Sequence, residues 1–94
     1  MNIELTLIGK PGCHLCEDAE SAVDRVLASF LAANPSVAVS ITQKNILDDA
    51  ELAARYSEEI PVLLINGKVH NYWRIDEERF TAALKDLVAE ATNE

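Results

Sequence analysis

The chain has 94 residues, 49% of them hydrophobic, with 16 acidic and 8 basic residues and a net charge of −8. That length bounds residues 1–94 to a single small domain with one real core, and no apolar run approaches the roughly 18 residues of a membrane span. The acidic balance argues against nucleic acid as a partner, and the opening Met1-Asn2-Ile3-Glu4 lacks the basic and apolar regions of a secretory signal, so a soluble, monomeric, cytoplasmic protein is expected.

Ile3, Leu5 and Leu7 alternate with Glu4 and Thr6, and Ile8 extends the apolar run, which predicts a first, largely buried strand. Gly9-Lys10-Pro11-Gly12 breaks it. Leu15, Ala19, Ala22, Val23, Val26, Leu27 and Phe30 then recur at helical spacing, predicting a helix from about Cys13 to about Ala33. Asn34-Pro35-Ser36 ends it. Val37, Val39 and Ile41 alternate as a second strand. In Leu47-Asp48-Asp49-Ala50-Glu51-Leu52, Asp48 suits an N-cap, Glu51 can complete a capping box, and Leu47 with Leu52 can form a hydrophobic staple. A short helix to about Ser57 follows.

Val62 to Ile65 is a continuous apolar run, hence a buried strand, and Asn66-Gly67 is a strong hairpin signal leading into a partner strand from Lys68 to Trp73. Asp76 can cap a last helix, with Ile75 and Phe80 as its staple and Leu84, Leu87, Val88 and Ala91 continuing its apolar face. Tyr56 reads as core, Trp73 as core or rim packing, and His70 as an exposed residue of the outer strand. The order β-α-β-α-β-β-α implies an α/β fold. Its first two strands run parallel through a right-handed crossover, and a four-stranded mixed sheet carries helices on both faces.

Both cysteines lie at the junction of the first strand and first helix, as Cys13-His14-Leu15-Cys16. Backbone N–H groups at a helix N-terminus have no helical partner and the dipole there is positive, so a thiolate at Cys13 is favoured. Cys16 falls one turn inside, within reach of a disulfide. The natural chemistry is thiol–disulfide exchange, with Cys13 attacking a disulfide of a protein or small molecule and Cys16 resolving the mixed disulfide. In a reducing compartment such a pair is more often catalytic or metal-binding than structural. His14, if cationic, lowers the Cys13 pKa; otherwise it is a solvent-facing turn residue.

Gly9-Lys10-Pro11-Gly12-Cys13-His14-Leu15-Cys16, the helix after it, and Glu59-Ile60-Pro61-Val62-Leu63 before the hairpin resemble a glutaredoxin of the thioredoxin superfamily, more closely the small glutaredoxin-like proteins with a C-H-L-C type motif. The similarity spans essentially the whole chain and implies a thioredoxin-like fold. It also implies Cys13 as nucleophile and Cys16 as resolving cysteine, Pro61 as the superfamily's cis-proline beside them, and an Ile60 backbone that pairs with an extended substrate segment. Lys10 matches the basic residue that often precedes glutaredoxin cysteines. The Gly-Gly-x-Asp stretch of glutathione-using members is replaced here by Tyr72-Trp73-Arg74-Ile75-Asp76-Glu77. Glutathione therefore enters as a candidate co-substrate, and no bound cofactor is expected.

Glu17, Asp18, Glu58 and Glu59 make the expected mouth acidic, with Lys10 as the main nearby cation, which favours neutral or basic disulfide partners over anionic ones. Two alternatives stand beside exchange. A metal or iron–sulfur cluster could use the C-x-x-C, although a structural zinc needs about four ligands and His14 and His70 are the only others of suitable type. A copper chaperone, which also places C-x-x-C after its first strand, follows its second strand with a hairpin and not a helix. The other alternative is a non-catalytic interaction module on the same fold.

Overall fold

The computed structural model describes residues 1–92. In chain order the elements are β1 (Asn2–Gly9), α1 (His14–Ala33), β2 (Ala38–Asn45), a 3-10 turn (Ile46–Asp48), α2 (Ala50–Tyr56), β3 (Val62–Ile65), β4 (Lys68–Tyr72) and α3 (Glu77–Thr92). The strands form one mixed sheet in the order β2-β1-β3-β4. β1 and β2 are parallel, from Asn2 opposite Ala38 to Gly9 opposite Asn45. β3 lies antiparallel on the other side of β1, with Ile8 opposite Val62. Asn66 and Gly67 turn the β3–β4 hairpin with φ of 50° and 82°, the paired left-handed values that match strand twist in a tight hairpin.

The alternation of β1 splits the core in two. Ile3, Leu5 and Leu7 face α1 and α3, where they meet Val23, Leu27, Phe30, Phe80 and Leu84. Ile8 takes the opposite face with Val62, Ile46, Ile60 and Tyr56 of α2, and Cys16 joins this second cluster. Helices therefore cover both faces. The second cluster is small, and the N-terminal end of α1 is packed against it.

The structure departs from the sequence expectations where polar residues decide the geometry. β2 continues past Ile41 to Asn45 because its ladder with β1 runs to Gly9; an edge strand can extend on polar residues when one neighbour pairs it. Asp49, not Asp48, caps α2, its Oδ1 accepting from the N–H groups of Glu51 (2.9 Å) and Leu52 (3.2 Å). Asp48 lies in the 3-10 turn, which Asn45 caps by accepting from the Leu47 N–H at 2.8 Å. That turn buries Ile46 and leaves Leu47 70% exposed, so no staple forms with Leu52. At the other helix, Asp76 caps α3 as expected, accepting from the Arg79 N–H at 3.1 Å.

His70 also differs. Leu63 pairs with Asn71 while Leu64 pairs with Val69, so His70 is the extra residue of a β-bulge. A bulge re-aims its side chain. The imidazole is half-buried against Phe80, ring centroids 6.0 Å apart, and is not exposed as predicted. Burial holds its pKa below the ordinary 6.5, Arg79 adds to the effect, and Asp76 opposes it.

Candidate active site

β1 ends at Gly9, and Lys10 to Gly12 carry the chain to α1, with Gly12 at φ 74°. Cys13 is the N-cap of α1. Its Sγ accepts a hydrogen bond from the Cys16 N–H at 3.1 Å, and its carbonyl accepts from Glu17 N–H at 3.1 Å. One orphan donor of the first turn is thus aimed at the Cys13 sulfur, the arrangement that supports a negative charge there. Cys13 and Cys16 are joined in a disulfide with their Cα atoms 5.2 Å apart. Cys13 is partly exposed, whereas Cys16 is 9% exposed in the second core cluster. The pair is therefore unequal in access before any chemistry begins.

β1 is central, so the disulfide has two flanks. On the β3 side, the Ile60–Pro61 peptide bond is cis. Pro61 is fully buried, and Ile60 packs in the cluster that holds Cys16. The Ile60 N–H donates to the Tyr56 carbonyl at 3.1 Å. On the β2 side lies an open groove of about 390 Å³, lined by Gly9, Lys10, Cys16, Glu20, Gln43 and Lys44 among others. Gln43 donates to Glu20 across it.

Gly9 is a residue whose role the sequence did not disclose beyond breaking the strand. A Cβ placed there would lie 2.9 Å from Cys16 Sγ and 3.2 Å from Cys16 Cβ. Glycine is what lets the end of β1 pass so close to the sulfur. Gln43, Lys44 and Asn45 line the groove from the polar extension of β2, where no apolar alternation marks a strand.

His14 is 97% exposed and sits with its Nδ1 3.8 Å from Glu17 Oε2, turned to solvent. Lys10, Glu17, Asp18 and Glu58 are exposed and Glu59 is half-buried. Among the described residues no group of three or more His, Cys, Asp and Glu side chains is arranged to hold a metal, and no helix is long and apolar enough to cross a membrane.

Trp73 follows β4 with φ 60°, a left-handed conformation that is unusual for a bulky residue and costs about 1–3 kcal/mol. Its backbone N–H donates to the Pro61 carbonyl at 2.7 Å and its indole N–H to the Glu58 carbonyl at 3.0 Å. Trp73 is nevertheless 53% exposed. Trp73 is thus a rim residue tied to the Glu58–Pro61 segment.

A family model described as Glutaredoxin-like domain (DUF836) matches residues 4–85. The chain belongs to this family. The glutaredoxin-like chain is 29% identical to a structural-genomics target from X. campestris, over 87% of this chain and 96% of that one, with a TM-score of 0.67. A protein from Nitrosomonas europaea solved in solution is 22% identical, covering 86% and 89% of the two chains, with a TM-score of 0.70. Thioredoxin-2 of the malaria parasite, 13% identical over 90% and 82%, has a TM-score of 0.62, which places the glutaredoxin-like chain in the thioredoxin fold. An uncharacterized protein of Mycobacterium tuberculosis is 23% identical over 79 residues, 84% of this chain and 79% of that one. Family, fold and the bonded Cys13–Cys16 pair together support a redox role.

Proposed function

We propose that this protein is a thiol–disulfide oxidoreductase acting on protein disulfides or on glutathione mixed disulfides. The observation that carries this reading is the Cys13–Cys16 disulfide at the N-terminus of α1, with the Cys16 N–H directed at the Cys13 sulfur.

In the reducing direction the Cys13 thiolate attacks one sulfur of the substrate disulfide. The Cys13–substrate bond forms, the substrate S–S bond breaks, and the departing thiolate takes a proton from solvent. The Cys16 thiolate then attacks Cys13 Sγ, closing the Cys13–Cys16 bond and releasing the second substrate thiol. Two electrons pass from the dithiol to the substrate. The oxidised pair is returned to the dithiol by two molecules of a monothiol such as glutathione, or by another protein dithiol. The unequal access of the two sulfurs supports this order, since the partly exposed Cys13 can meet a substrate that the buried Cys16 cannot. A substrate segment lying along residues 60–61 would bond to the Ile60 carbonyl, because the Ile60 N–H is held by Tyr56. Lys10, on the groove side, offers a cation to an anionic substrate end.

The test is mass spectrometry of the reduced protein after incubation with oxidised glutathione and, separately, with oxidised thioredoxin. A Cys16→Ser variant should accumulate a mixed disulfide at Cys13 with one or both. If neither reagent yields an adduct or an intramolecular disulfide, the exchange reading is lost.

A further inference from the structure

Trp73 is tied by two hydrogen bonds to the segment that flanks the disulfide, yet the residue remains exposed to solvent. The residues on either side of Pro61, Ile60 and Val62, pack in the same cluster as Cys16, with Cys13 against it. The indole is therefore linked to the site on the β3 side through its bonds to Pro61 and Glu58. Its N–H is fixed on the Glu58 carbonyl, so the ring cannot fold away into the core without losing that bond. Beside it Tyr72 is also exposed, the two rings tilted with centroids 6.1 Å apart. Tyr72 and Trp73 are the aromatic members of the large exposed hydrophobics among the described residues, and Val69 of β4 is exposed with them.

We propose that Trp73, with Tyr72, is a specificity-determining platform for an apolar side chain that flanks the cysteine of a polypeptide disulfide. The inference rests on the exchange reading and names its substrate class. An apolar occupant follows from the charges around the ring. Glu58 and Glu59 lie on the loop that anchors the indole, while Arg74 is next in sequence and Arg79 shares a shallow surface hollow with Trp73 and Tyr72. Side chains of both signs flank the ring, so a charged occupant meets a like charge as well as an opposite one, whereas offset or edge-to-face contact with two aromatic rings attracts an apolar or aromatic group. A small disulfide without such a side chain gains nothing from the platform.

Trp73 is the chain's only tryptophan, so its emission reports the platform without any redox step. The oxidised wild-type protein is titrated with three short peptides carrying serine in place of cysteine and Phe, Lys or Glu beside it. The Phe peptide should shift the emission to shorter wavelength and half-saturate at a concentration about 5-fold below the other two. Equal responses to all three, or a salt-sensitive preference for Lys over Phe, would overturn the proposal, the second in favour of a cation site. Exchange kinetics with the corresponding disulfide-linked peptides form the second arm. Trp73→Ala should lower kcat/KM for the Phe peptide about 5-fold, with hydroxyethyl disulfide changed less than about 2-fold and Trp73→Phe recovering most of the loss. A parallel fall for both substrates would mean that Trp73 only braces the loop, which also overturns the platform. Should the Ala variant fail to fold, Trp73→Gly, suited to the left-handed backbone, replaces it. Absence of exchange with every disulfide would remove the proposed function, while the fluorescence titration still decides the platform.

Discussion

Gly9 and Cys16 show how a single missing atom shapes the site. β1 delivers its last residue against the buried sulfur, and only a hydrogen at that Cα leaves room. Gly9→Ala would force 2.9 Å and 3.2 Å contacts on an atom pair that cannot swing away, because Cys16 is held by its helix, its core cluster and the disulfide. Overpacking of this kind costs about 1–3 kcal/mol. Urea unfolding of the oxidised protein should show a loss in that range. The same substitution made in a Cys13→Ser, Cys16→Ala background should cost less, since the sulfur is gone. Equal losses in both backgrounds would show that the penalty does not come from the sulfur. His70 provides a second residue-scale expectation. Its pKa is lowered in the folded protein, chiefly by burial, so at pH below the ordinary 6.5 the unfolded chain binds the proton more readily than the folded one. Stability from this group is then present at higher pH and is lost as pH falls through 6.5 toward the folded value. Equilibrium unfolding at pH 7.5 and 5.5 should show a smaller difference for His70→Gln than for the wild type.

At the scale of elements, α2 is the piece whose start the sequence states ambiguously. Two aspartates stand in tandem, and the capping-box spacing from Asp48 to Glu51 favours the first. The structure uses the second, because Asn45 and the buried Ile46 organise a 3-10 turn that consumes Asp48. Asp49→Ala should cost about 0.5–2 kcal/mol as a lost N-cap, while Asp48→Ala should stay within about 0.5 kcal/mol. Paired urea denaturation curves separate the two, and equal effects would assign the cap wrongly. The same contrast explains what could be read in advance. β1, α1, β3 and α3 carry strong apolar periods, and the hairpin is announced by Asn66-Gly67, so the four-stranded sheet with helices on both faces follows from pattern alone. The Cys13–Cys16 spacing at a strand-to-helix junction likewise marks the site. What was not legible depends on tertiary pairing. The polar half of β2 is a strand only because β1 hydrogen-bonds it, the bulge at His70 has no compositional sign, and the groove beside Cys16 is assembled from residues some thirty positions apart. Trp73 reads as core or rim packing, and the structure leaves it exposed, on a left-handed backbone that no neighbouring glycine announces.

At the scale of the whole molecule, the net charge of −8 acts on any charged substrate approaching the disulfide. Glu17 and Asp18 lie on the first turns of α1, and Glu58 and Glu59 lie on the loop that leads to Pro61, three of the four exposed and Glu59 half-buried. Lys10 and Lys44 on the groove side supply the opposing charge. Attack on an anionic disulfide such as oxidised glutathione must then overcome net like-charge repulsion. Salt screens exposed charges over a Debye length of about 10 Å at 0.1 M. The rate with oxidised glutathione should therefore rise with ionic strength, and the rate with cystamine, a cationic disulfide, should fall. Replacing Glu58 and Glu59 with Gln should shrink both salt slopes and speed the glutathione reaction at low salt. Gln leaves the Glu58 main-chain carbonyl, and so the Trp73 anchor, in place. Stability should change by less than about 0.5 kcal/mol, because surface substitutions away from special features seldom do more. Lys10→Gln should act in the opposite sense, slowing the anionic substrate and steepening its salt dependence. Stopped-flow kinetics with the two disulfides at several salt concentrations measures all of these slopes. Rates flat in salt for both substrates would falsify steering by the mouth and leave these carboxylates as solvated surface.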